Sequence, residues 1–168
     1  MTPTISSETL SPCRTLSTHL VGFDGYSVNL PIRLVQDYGI SIGVARHLVD
    51  SYAGRAEEVL SIAKELAGHG TGDSMHRHAG RHDLEVFLAP GFPIIEAEVV
   101  FAARFDWAVR AEDFLARRTR LAFLNKDAAI VAIPRVVQLM GEELHWTPER
   151  QQEEVFSCLQ FMRHFGGR

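Results

Sequence analysis

The chain has 168 residues, 46% apolar and 23% charged, with a net charge of −4 and a pI near 6.0, which suits one globular domain with a real core. No stretch approaches the roughly 18 consecutive apolar residues of a membrane span, and Lys and Arg are scattered except at Arg117, Arg118 and Arg120, so nucleic acid is not an expected partner. Cys13 and Cys158 stand far apart and neither belongs to a CxxC, which argues against a structural disulfide or zinc site and for a reducing compartment.

Met1–Leu20 is rich in Ser and Thr and lacks the apolar core of a secretory signal, so residues 1–18 are expected as a disordered tail or the remnant of a preceding domain. Gly22-Phe23-Asp24-Gly25 is a turn. Residues 30–38 read as a helix, with Asn29 as cap, Pro31 in the first turn and Gly39 at the end. Ser41 caps a second helix with Val44, Leu48 and Tyr52 as its apolar stripe, closed by Gly54. A third helix over 55–67 carries Val59, Ile62, Ala63 and Leu66 on one side.

Residues 68–91, GHGTGDSMHRHAGRHDLEVFLAPG, form a Gly- and His-rich loop whose tail, 84–88, suits a short strand or an extended packed segment. Helices resume over 94–105, break near 107–109 and continue over 110–119. Residues 121–124 read as a short apolar connector. A long helix over 127–144 shows Ala129, Ala132, Ile133, Val136, Val137 and Met140 at helical spacing, with Pro134 inside it as a bend. Thr147-Pro148-Glu149 opens a last helix that runs to 165 and buries Val155, Cys158, Leu159 and Met162, with Gly166-Gly167 closing it. The fold class expected is therefore all-α: a compact multi-helix domain.

Residues 93–125 organise the rest. Apolar residues fall on nearly every helical face there, so the charges among them must be paired or hydrogen-bonded. Glu98, Arg104, Asp113, Arg117 and Arg118 are expected in a polar network. Arg117, Arg118 and Arg120 could clamp a phosphate or carboxylate, but Arg117 and Arg118 point about 100° apart on a helix, so at most one shares a face with any given partner. The favoured reading is that one pairs internally while the others face a neighbouring domain. The Glu142–Glu143 and Glu153–Glu154 pairs are expected on solvated faces. His76, His78 and His82, with His69 and Asp73 nearby, have metal-ligand spacing, yet nothing in the glycine-rich loop would orient their rings. These three are the metal candidates, and the favoured reading is a polar loop that binds metal only adventitiously. There is no GxGxxG, P-loop, GxSxG or HExxH.

The run EAEVVFAARFDWAVRAEDFLARRTRLAFLN, followed by DAAIVAIPRVVQLMGEELHW, resembles the C-terminal helical domain of FAD-dependent, quinone-linked glycerol-3-phosphate dehydrogenase. RRTRLAFLN is close to a signature of that domain. LVGFDGYSVNLPIRLVQDYGISIGVARHLVDSYAGRAEEVLSIA is similar to its entry segment, so the resemblance covers residues 16–67 and 93–165, and 68–91 stands out as an insertion. It implies that 19–168 is a C-terminal helical cap, excised where the flavin domain ends and inactive alone. In that family FAD and glycerol 3-phosphate sit in the preceding domains, and hydride passes to the flavin before electrons reach quinone. No catalytic or cofactor-binding residue is therefore carried over to this chain.

The expected partner is the N-terminal flavin and substrate portion of the same polypeptide, with a homodimer possible. Membrane contact is expected only through the full-length enzyme, peripheral on the mitochondrial inner membrane in a eukaryote or the cytoplasmic membrane in a bacterium. The fragment itself is expected to be soluble. Glu98, Arg104, Asp113, Arg117, Arg118, Thr119 and Arg120 are expected to serve an internal network or an interface. The alternatives are a free-standing helical interaction module and a metal-binding protein built on the histidine loop.

Overall fold

The computed structural model describes residues 11–68 and 84–164. Among them the backbone is helical, and strand pairing is limited to one antiparallel bridge between Phe87 and Ile95. The class is all-α. Residues 11–18, within the expected tail, are exposed and hold a short 3₁₀ turn at Thr15–Ser17.

Helix α1, Leu30–Tyr38, starts with Pro31 in its first turn and ends at Gly39, which takes φ +69° and donates its N–H to Val35. Asn29, expected as its cap, makes no side-chain capping bond. In α2, Ile42–Tyr52, the Ser41 hydroxyl accepts from the Val44 amide at 3.4 Å. This helix stops short of Gly54, because Ala53 turns to φ +51° and a 3₁₀ turn spans Ala53–Arg55. Gly54 has a different task. Its N–H donates to the Gly22 carbonyl at 2.9 Å, and a Cβ there would lie 2.0 Å from the Asp24 carbonyl oxygen, so only glycine lets the entry turn pack this closely.

Helix α3, Ala56–Gly68, buries Val59, Ile62 and Ala63. Residues 84–95 fold back on themselves. Leu88 donates to Ile94, Glu96 donates to Val86, and Leu88 and Ala89 are buried. The expected short strand is thus a single bridge. The remainder of the 68–91 loop, with His69, Asp73, His76, His78 and His82, lies outside the described residues, as do Gly166 and Gly167.

Helix α4, Glu96–Phe105, is buried at Glu96, Ala97, Glu98, Val99, Val100, Phe101 and Ala102, nearly all round. It packs between α3 and α6. Arg135 of α6 grips Glu96 at 2.8 and 2.6 Å, and Arg104 reaches Glu143 at 2.7 Å, so α4 and α6 run side by side in the same direction. The helix expected over 110–119 opens into a π turn at Asp113–Arg118, and the expected connector is the short helix α5, Leu121–Leu124, with Leu121 and Ala122 buried.

Helix α6, Lys126–Leu144, is capped by Asn125, whose side chain accepts from Ala128 at 3.0 Å, and it continues through Pro134. Helix α7, Pro148–Arg163, is capped by Thr147. It buries Cys158 and Met162, while Val155 and Leu159 pack only partly against the core. Where α7 meets α6, a Cβ on Gly141 would come within 2.7 Å of the Gln151 side chain.

Candidate functional site

Glu98 stands in the first turn of α4, where backbone N–H groups lack partners and the helix dipole favours an anion. Its carboxylate accepts the Ile95 amide at 2.8 Å, closing the helix start. Two side chains from α2 complete its shell: His47 Nε2 at 2.9 and 3.1 Å, and the Tyr52 hydroxyl, which donates at 2.9 Å. The side chain of Glu98 is 1% exposed. Three donors and the helix end keep this buried charge tolerable.

The two α2 groups respond to that charge. Tyr52 holds its proton well above the usual phenol range, through burial first and then the Glu98 carboxylate. Burial draws the His47 imidazole down, but the hydrogen bond and charge of Glu98, with Asp50, outweigh it and leave the pKa above the ordinary 6.5. A group whose folded pKa is raised adds stability that is complete below the unfolded value and is lost as pH climbs through the folded one. The melting temperature is therefore expected to fall as pH rises from about 6.5 through the raised His47 pKa, and His47→Gln is expected to flatten that fall. Thermal melts of both proteins across the range check this. An equal fall in the variant would remove His47 as the cause.

Beside this brace lies a cleft of about 130 Å³ lined by His47, Ser51, Tyr52, Glu98, Asp106, Arg118 and Thr119. It admits a few waters or one inserted side chain, well under the ~300 Å³ or more of a typical small-molecule site. Glu98 is held by three donors and Tyr52 keeps its proton, and together they clamp α2 to α4.

The π turn sets the arginines. Asp113 accepts the Val109 and Arg110 amides at 3.1 and 3.0 Å and pairs with Arg117 at 2.7 Å. Glu112 stands 3.5 Å from the same guanidinium. Arg118 turns the other way and donates through Nη2 to the Asp106 carbonyl at the end of α4. Thr119 closes the turn: its amide donates to Phe114 at 3.0 Å, the wide i to i+5 ring of a π turn, and its hydroxyl donates to the same carbonyl at 3.1 Å. Arg120 takes φ +56° and is exposed, with no ion-pair partner among the described residues.

Glu98, Arg118 and Thr119 thus share one cleft. Asp113 and Arg117 pair with each other outside it. Arg104 ties α3 to α6 through Glu65 at 2.8 Å and Glu143 at 2.7 Å.

Glu154 corrects the expectation of a solvated pair. Its side chain is 1% exposed, with Oε1 accepting the Ala111 amide at 3.0 Å and Oε2 lying 3.0 Å from Arg150 Nη2, an ionic contact that lacks hydrogen-bond alignment. Glu153 beside it does face solvent, and Glu143 is engaged by Arg104. Among the described residues no group of three or more His, Cys, Asp or Glu is placed to hold a metal. Burial, Glu112 and Glu154 push the Cys158 thiol up to about 12, which leaves it un-ionised at neutral pH.

His47, Ser51, Tyr52 and Asp106 also line the cleft and are not among the residues expected at a site. His47 and Ser51 do share a helix face at i, i+4, next to the apolar stripe of α2, and that adjacency is the signal the sequence carries. Tyr52 was counted as core, and its ring does pack on Phe101, yet its hydroxyl faces Glu98.

The family model described as the C-terminal domain of alpha-glycerophosphate oxidase matches residues 13–151. The chain is 43% identical over 151 residues to "Glycerol-3-phosphate dehydrogenase, mitochondrial" of Mesocricetus auratus, covering 90% of this chain and 19% of the relative. Identity to the Homo sapiens protein of that name is 41%, with the same coverage. The Arabidopsis thaliana "Glycerol-3-phosphate dehydrogenase SDP6, mitochondrial" is 32% identical over 178 residues, 96% of this chain and 26% of the relative. The chain spans about a fifth of the length of the first of these relatives. No solved structure matches.

Proposed function

The chain belongs to the family of C-terminal domains of alpha-glycerophosphate oxidase, and from that premise we propose that it is the helical cap of an FAD-dependent glycerol-3-phosphate dehydrogenase. The whole enzyme would convert glycerol 3-phosphate to dihydroxyacetone phosphate and deliver the electrons through FAD to quinone. The observation that carries this reading is the 43% identity over nine-tenths of the chain, against a relative about five times as long.

The polar cleft beside Glu98 does not fit FAD: it holds about 130 Å³, and strand pairing among the described residues stops at one bridge, so no strand–turn–helix cradle adjoins it. Flavin and substrate are accordingly assigned to the portion preceding this domain, and this chain supplies rigidity. Glu98, Arg118 and Thr119 lock α2, α4 and the π turn together, while Arg104, Asp113 and Arg117 tie down the outer edges. Arg120 is left for the interface. No described helix is long and apolar enough to cross a membrane. We assign any membrane association to the rest of the enzyme, peripheral on the mitochondrial inner membrane in a eukaryote and on the cytoplasmic membrane in a bacterium.

The test is a chimera in which this chain replaces the matching C-terminal part of the Mesocricetus auratus relative. The chain alone is expected to carry no flavin and to leave glycerol 3-phosphate untouched. The chimera should retain flavin and reduce a dye with that substrate. Arg118→Ala removes the donor to the Asp106 carbonyl, costing about 1 kcal/mol, and should lower melting temperature and flavin content while leaving the Michaelis constant in place. A chimera without flavin, beside a parent enzyme that holds it, would count against the cap. An Arg118→Ala chimera with unchanged melting and flavin would count against the role given to Arg118.

A further inference from the structure

The end of α4 holds an unusual residue for its backbone. The Asp106 and Ala108 amides both donate to the Ala102 carbonyl, at 3.1 and 3.0 Å, and between them Trp107 takes φ +57°. This is the left-handed position that closes a helix, where glycine is the low-strain residue and a side chain with a Cβ is disfavoured. Yet Trp107 is 87% exposed, so the domain gains almost no packing from accepting the strain. Phe105 and Val109 beside it are exposed as well.

A second group of exposed apolar residues lies on the entry turn, which Arg55 joins to the end of α4. The Arg55 guanidinium lies over Phe101 and Phe105, with 4.6 and 5.4 Å to the ring centroids, and stands 3.8 Å from Asp106. Gly22 sits against Arg55 and the Tyr52 carbonyl, and Phe23, next in the chain, is exposed. Leu20 and Val21 are exposed on the approach to the same turn. Arg55 thus joins the end of α4 to the entry turn of the domain, and Phe23, Phe105, Trp107 and Val109 are exposed on the two segments that meet there.

We infer that this face, centred on Trp107, is where the cap docks on the preceding portion of the polypeptide. The inference rests on the cap reading and adds which surface makes the contact. The backbone arriving from that portion already lies here, so contact on this side needs no reversal of the chain. Strain at Trp107 is then balanced by burial in the assembled enzyme, as expected of an aromatic anchor surrounded by lesser contacts.

The test compares this chain and the chimera, each with Cys13 replaced by serine and a single cysteine introduced, by maleimide labelling read on the peptide concerned. Trp107→Cys probes the face. Val131→Cys is the control: it is exposed on α6, twelve residues before Glu143, about 18 Å along the helix from the end that meets Arg104. Trp107→Cys should label at least about tenfold more slowly in the chimera than in the chain, with Val131→Cys alike in both. Protection at 131 and not at 107 would overturn the face and keep the cap. Protection at neither, or equally at both, would overturn the docking itself. A chain that is already dimeric, with residue 107 already protected, would assign the face to a second copy and overturn the proposal.

Trp107→Gly supplies an independent reading. Relief of strain should leave the melting temperature of the chain no lower, whereas that of the chimera should fall. A fall of the same size in both would mean that Trp107 serves only the fold of the domain.

Discussion

Phe101→Ala is expected to destabilise the chain by about 4 kcal/mol and, at this size, to lower its melting temperature by roughly 10 °C. The ring is fully buried at the centre of α4. It meets Tyr52 edge-on with centroids 5.0 Å apart, touches Phe105 at 5.2 Å and carries Arg55 over its face at 4.6 Å. Truncation leaves a cavity on a helix that is packed from both sides by α3 and α6 and has little freedom to collapse. It also removes the ring against which Tyr52 is set, so the hydroxyl loses its aim at Glu98. Phe101→Leu fills most of the space and should cost about 1.5 kcal/mol. Urea and thermal unfolding followed by circular dichroism give both numbers. A loss under about 1 kcal/mol for the alanine variant would show that this ring is not the centre of the core.

Glu98→Ala should cost about 3 kcal/mol, because three donors are orphaned together. The Ile95 amide loses its partner at the start of α4, and Tyr52 and His47 lose theirs between α2 and α4. Burial then acts on His47 against Asp50 alone, so the imidazole is expected to shed its proton more readily and the pH dependence described above should weaken with loss of the carboxylate. Glu98→Gln keeps the shape and one acceptor and should cost about half as much. A double-mutant cycle with His47→Gln separates the pair from its surroundings. Additive losses would show that Glu98 and His47 do not act together, and the clamp would reduce to a helix cap.

The parts of this fold that were legible in the sequence are those written by local chemistry. Pro31 and Gly39 bound α1, Ser41 and Thr147 cap α2 and α7, and the apolar period of residues 129–140 fixes the buried side of α6. What was not legible depends on distant chain segments. Glu98 meets residues 46 and 51 positions away, and Glu154 meets an amide 43 positions away, so neither partner is visible from spacing. Glu154 looked solvated because Glu153 beside it is. The end of α2 was misplaced for a similar reason: Gly54 reads as a helix stop, yet its lack of a Cβ answers to Asp24 and Gly22, thirty residues earlier. Resemblance to a known family filled some of these gaps for the fold but said nothing of the cleft.

The π turn at Asp113–Arg118 carries a lesson about insertions and deletions. Its hydrogen-bonded ring holds one residue more than an α-helical ring, and from it Arg117 pairs with Asp113 while Arg118 donates to the carbonyl of Asp106. Loss of a single codon within this stretch would let the turn tighten into α-helix without disturbing the elements on either side. The arginine that follows Arg117 would then rotate by about 100° away from the end of α4. In this segment a change of reading length by one residue, with every side-chain type kept, is expected to rewire the domain more thoroughly than most substitutions.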